Sequence, residues 1–153
     1  MTTPESCIIE AGAVLCGLDA SGKMQMRYDV AIWVHEGKIA QIGPLAAVGS
    51  NSGGLKRYGS PGMIAMPGLV NSHHHSGLTP LMMGVPFAPL ELWLPQFRAM
   101  RGVGDRLDTL YSAIEMLESG TTTVHHIHGG LSPKPDEWDD TVDSVIGAYR
   151  EIG

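Results

Sequence analysis

"MPGLVNSHHHSG", Met66 to Gly77, sets three consecutive histidines at the end of a short apolar run that opens on Pro-Gly. The run "GLVNSHHH" reads as a β-strand, and side chains alternate along a strand. His73 and His75 therefore point to one side and His74 to the other. Two imidazoles at i and i+2 can share one metal ion at nitrogen–metal distances of about 2.0–2.1 Å. The same residues can also form a polar strand end in water, because H-x-H is short and occurs by chance.

Downstream of Pro67 strand-like and helical pieces alternate. In "GDRLDTLYSAIEMLESG" the residues Leu107, Leu110, Tyr111, Ile114 and Leu117 fall on one helical face, with Asp105 as an N-cap and Gly120 as the stop. The β-branched run "TTTVHHIH" follows as a strand. A Pro-rich loop then leads to a second amphipathic helix through Val142, Val145, Ile146, Tyr149 and Ile152. This alternation predicts parallel strands with helices packed outside them, in an open sheet or a barrel, with chemistry at the carboxyl ends of the strands. Both histidine clusters close such strands. In the second, His126 and His128 share a face with Val124 and His125 shares the other with Ile127. A neutral, hydrogen-bonded histidine at a layer boundary accounts for these as well as a ligand does. His128, nearest the strand end, is the candidate for a pocket.

Upstream, "SCIIEAGAVLC" and "YDVAIWVHEGKIAQIG" read as strands, the second folding into a hairpin at Glu36-Gly37. "GSNSGGLKRYGSPG" reads as a surface loop before a last short strand, "MIAM".

The 153 residues are 43% hydrophobic, enough for a packed core, and the net charge of −6 has no basic stretch to neutralise a phosphate backbone. Nucleic acid is an improbable partner. The amino terminus lacks a basic leader, and no apolar run approaches the roughly 18 residues of a membrane helix, so a soluble cytoplasmic protein is expected. Cys7 and Cys16 lack C-x-x-C spacing and read as reduced, packed thiols.

"IAMPGLVNSHHHSG" resembles the opening barrel strand of the amidohydrolase superfamily, in which Pro-Gly, an apolar stretch and H-x-H recur. "DVAIWVHEGKIAQIGP" is similar to the β-sandwich strands that precede that barrel, and "AIEMLESGTTTV" to the helix and second strand of the deaminase and chlorohydrolase branch. The resemblance implies an α/β fold: a small β-sandwich over residues 1–66, then the first two βα units of a (β/α)8 barrel over residues 67–153. It further implies that His73 and His75 ligate a divalent metal, zinc or iron, and that the metal activates a water for attack on an amide-like or ring carbon. The expected function is metal-dependent hydrolysis of non-peptide C–N bonds, foremost deamination of a small heterocyclic amine. Dechlorination and cyclic-amide hydrolysis are the alternatives on the same scaffold.

"GLTPLMMGVPFAPLELWLPQFRAMRG" resembles the substrate loop that deaminase-like members insert after strand 1. Trp93 in it could stack on a planar ring, or pack the loop onto the barrel with Leu92 and Leu94. Some related deaminases carry a histidine near the substrate at the position of His128, but with Asp where this chain has His126.

A (β/α)8 barrel takes about 250 residues, so only two units fit here. The further ligands and the catalytic carboxylate are expected beyond residue 153. Asp136, Asp139 and Asp140 suit helix capping and dipole roles. The chain is thus expected to be an N-terminal fragment, inactive alone and prone to aggregate through unpaired edges. The other class is a non-catalytic metal-binding half-barrel that needs a partner chain. A homo-oligomer is compatible with the sequence.

Overall fold

A computed structural model describes residues 6–49, 53–76, 84–100, 102–129 and 134–153. The amino-terminal residues 1–5, part of the expected surface loop (50–52), residues 77–83 and 101 of the expected substrate loop and most of the Pro-rich loop (130–133) lie outside the described residues. The chain divides into two compact units after Pro67.

The first unit is one four-stranded sheet in the order β3-β2-β1-β4, built from β1 (Cys7–Leu18), β2 (Met24–His35), β3 (Lys38–Pro44) and β4 (Lys56–Ala65). The expected hairpin joins β2 to β3, with Glu36 (φ 49°) and Gly37 (φ 75°) both left-handed. Two left-handed residues match the right-handed twist of the flanking strands. Both faces of this sheet are apolar. Ala11, Val14, Val30 and Ile32 cluster on one; Ile8 and Ala31 meet Val48 of the short helix α1 (Leu45–Gly49) on the other.

β4 is longer than the expected "MIAM". It starts at Lys56, inside the segment expected to be loop, and pairs parallel to β1 from Cys7↔Lys56 to Val14↔Ala65. Its glycines read as loop in the sequence, but one of them is what allows the pairing. Gly59 takes a φ of 80°, and a Cβ there would meet the Glu10 carbonyl oxygen at 2.2 Å.

The second unit holds β5 (Leu69–Ser76) and β6 (Thr121–His128), paired in parallel, with α2 (Leu90–Ala99), α3 (Asp105–Glu118), a short 3-10 turn (Pro135–Glu137) and α4 (Trp138–Ile152). Gly68 lets β5 start against β6, because a Cβ there would fall 1.9 Å from the Thr122 hydroxyl. Gly120, at φ 80°, ends α3 as expected.

The face of α3 differs from expectation. Asp108, Thr109, Ser112, Ala113 and Met116 are its buried residues, while Leu107, Tyr111, Ile114 and Leu117 are exposed. Small side chains allow close approach of α3 to β5, β6 and α4, whose buried residue is Ala148. The larger apolar stripe is turned away. Asp105 is not the cap either: Gly104 holds that position without a side-chain hydrogen bond, and Asp105 begins the helix. In α4, Val142 and Ile146 are exposed too. Among the described residues no helix is long and apolar enough to cross a membrane.

Gly59→Ala should cost at least the roughly 1–2 kcal/mol of a left-handed L-residue, plus the collision with Glu10. The measurement is a lower urea midpoint at unchanged slope. Gly62→Ala, where the nearest atom to a new Cβ is the Ser60 hydroxyl at 3.8 Å, should stay within about 0.5 kcal/mol of the parent.

Candidate metal centre

The pairing of β5 with β6 is irregular at two places, between Leu69 and Val70 and between Asn71 and His74, and the second concerns the histidines. Asn71 pairs with Val124 and His74 with His126, so three steps along β5 match two along β6. One extra residue, within Ser72-His73, is taken up as a β-bulge, a device that bends a strand and re-aims its side chains. The His73 amide N–H, at the bulge, donates to the Asn71 side-chain oxygen at 3.1 Å.

Beyond the bulge the strand alternates as expected. His73 Nε2 and His75 Nε2 lie 3.1 Å apart, with ring centroids at 4.9 Å and planes at 67°, and both rings are exposed. Two nitrogens at the usual zinc–imidazole distance, separated by that span, subtend about 98° at the ion, an acceptable cis pair. The spacing serves an N–H···N hydrogen bond between two tautomers equally well. The donors fit a divalent ion as half of a ligand set. Among the described residues no group of three or more His, Cys, Asp or Glu gathers to hold one.

Parallel strands carry register partners on a common face. His74, His126 and His128 therefore lie opposite to the His73–His75 pair, while His125 and Ile127 share its face. The covered face is occupied from α3 and α4. His126 Nδ1 and the Tyr149 hydroxyl are hydrogen bonded at 2.9 Å, His128 stacks on His126 at 5.7 Å, and its Nε2 is 3.8 Å from Asp105 Oδ1. Buried nitrogens here, His74 Nε2, His126 Nε2 and His128 Nδ1, have no partner among the described residues. Burial lowers the His126 pKa from its usual value, His128 and His74 add to that, and Asp105 opposes it. Burial raises the pKa of Tyr149.

His73 and His75 are thus brought together, as expected. His128 is not with them: its partner across the strands is Ser76 rather than His75, which puts it on the helix side. Trp93 lies on α2 and meets Phe97 edge-on at 5.9 Å, and it lines an open cavity with Val85, Pro86 and the exposed Phe87. The structure adds His125, on the open face, and Asn71, bonded to the His73 amide, to the surroundings of the pair. The parity of "HHIH" could have flagged His125 once strand pairing was known; nothing local marks the Asn71 contact.

No family model matches the chain. It is 33% identical over 133 residues to a 5-methylthioadenosine/S-adenosylhomocysteine deaminase of Nitratidesulfovibrio vulgaris (strain DP4), covering 84% of this chain and 29% of that protein. A deaminase of the same name from Desulforudis audaxviator is 37% identical over 130 residues, covering 82% and 27%. Among solved structures, a triazine hydrolase from Arthobacter aurescens superposes with a TM-score of 0.72 at 24% identity, over 98% of this chain and 34% of that one. A zinc-bound adenosine deaminase from Xanthomonas campestris gives 0.66 at 26% identity, over 97% and 32%. The chain belongs to the amidohydrolase superfamily. It spans less than a third of the length of these two deaminases. The likeness to the triazine hydrolase is one of fold.

A buried, neutral histidine has a direct pH signature. Its folded pKa lies below the unfolded value, so the unfolded chain binds more protons as pH falls. The stability from neutral His126 is fully present above the unfolded value near 6.5 and is lost on acidification through the folded value. A histidine NMR titration should find His126 below a free imidazole, and His128→Gln should raise it only in part, because burial is the larger cause.

Proposed function

We propose that this chain supplies the opening part of a metal-dependent aminohydrolase that deaminates a small heterocyclic amine, with an adenosine-type thioether such as 5-methylthioadenosine as the first substrate to try. The observation that carries it is the His73–His75 pair, convergent at 3.1 Å at the carboxyl end of a parallel strand. Two relatives above 30% identity named as deaminases point to the same chemistry. In this reading β5 and β6 are the first two strands of a (β/α)8 barrel, and α3 and α4 are outer helices whose exposed stripes meet neighbouring helices.

His73 and His75 would hold the ion, zinc being the first choice. A bound divalent ion supplies Lewis-acid activation of water at neutral pH. His73 and His75, exposed on one face and backed by the packed layer of His74, His126 and Tyr149, present their Nε2 atoms in fixed geometry. His125 on the same face is placed to meet the substrate or its water. Trp93 offers a face for stacking from the α2 segment, at the modest energies of aromatic contacts. In this reading His125 serves the open face, and His128, on the helix-covered face, lines a separate cavity with His126 and Tyr149 and supports the strand.

The test is ammonia release by the full-length, metal-loaded protein from a panel of adenosine derivatives, aminopurines, pterins and aminotriazines. Deamination of at least one adenosine-type substrate is expected. Absence of ammonia throughout, with chloride release from chlorotriazines, would transfer the function to dechlorination. His73→Ala and His75→Ala should each remove most of the bound metal by elemental analysis, and His74→Ala should leave it in place. Equal loss from all three would sink the strand-face argument.

A further inference from the structure

The bulge that follows Asn71 sets which face of the sheet receives the histidine pair. Without the bulge, regular pairing would continue from Asn71↔Val124 to Ser72 opposite His125 and His73 opposite His126. His73 would then share the face that His126 occupies against Tyr149, since a one-residue slip sends every later side chain to the other side. With the bulge, Asn71 and His74 share the helix-covered face, and His73 and His75 are turned to the open one.

The contacts of Asn71 fit this role at both ends. Its side-chain oxygen accepts the His73 amide N–H at 3.1 Å, satisfying a donor at the interruption in the β6 ladder. Its Nδ2 lies 3.5 Å from His74 Nδ1, holding the next residue onto the covered face. A side-chain oxygen that binds the amide two residues on is a local turn, and such turns compete with strand pairing. Here the competition is resolved in favour of the bulge. Asn71 is half-buried, and its register with Val124 puts it on the covered face with His74.

We infer that Asn71 is a positioning residue for the metal centre: by binding the His73 amide it fixes the β-bulge that aims His73 and His75 at one ion. This rests on the metal reading of the pair, and the test separates the two. Zn2+ is titrated into the metal-free full-length protein against a chelator of known affinity, and exchange of the His73 amide proton is followed by NMR without metal.

Asn71→Ala should weaken Zn2+ binding by roughly tenfold or more and speed exchange at His73. Asn71→Asp, which keeps the acceptor oxygen, should restore both. Asn71→Gln, one methylene too long to close the same ring, should behave like the alanine variant and carries the test if that variant fails to fold. Affinity at the parent level in Asn71→Ala and Asn71→Gln, alongside loss of binding in His73→Ala, would overturn the positioning role and leave the metal pair standing. Unchanged His73 exchange in both would overturn it as well. Parent and His73→Ala binding Zn2+ equally would remove the metal reading, and with it this inference.

Discussion

Parallel pairing of β5 with β6 is the constraint on which the second unit depends. A parallel pair cannot be closed by a tight turn, so the chain must return along the sheet before β6 begins, and α3 lies in that return. The helical return covers one face and leaves the other open. Both strands then end on the same side, and the side chains from Asn71 to His75 and from His125 to His128 are gathered there without any one strand carrying them all. Gly68 and Gly120, at the start of β5 and just before β6, make the pairing close enough to matter: the Leu69 amide donates to the Gly120 carbonyl at 2.8 Å.

Histidine is used in two ways a few ångströms apart. On the open face the imidazoles of His73 and His75 keep their Nε2 atoms available and lose little solvation. On the covered face His126 gives up solvent for packing against Tyr149, and that transfer favours the neutral ring. The residue type is the same; the layer behind it sets the chemistry.

Local pattern made much of this legible. The i, i+2 histidines, the Glu36-Gly37 hairpin and the helix ending at Gly120 are all decided by neighbours in sequence. What failed to show needed a partner strand or helix. Periodicity groups Leu107, Tyr111, Ile114 and Leu117 on one face of α3, but cannot say that the small residues opposite are the ones that pack. Glycine content made the start of β4 look like loop, although Gly59 there permits an approach to β1 that other residues would block. Nearness to a strand end puts His128 beside a pocket, but which face it takes follows only from the register with β5. The Asn71 bulge is invisible for the same reason, since a bulge is a mismatch between two strands.

Three adjacent histidine codons are a run in which replication can drop one triplet in frame. Such a loss would shorten His73-His74-His75 to two neighbours followed by serine, leaving a protein that still shows paired histidines after "GLVNS". Because the bulge has fixed the phase of the strand, the survivors would stand on opposite faces. The lesion would be nearly silent in an alignment and would undo the approach of the two Nε2 atoms on the open face.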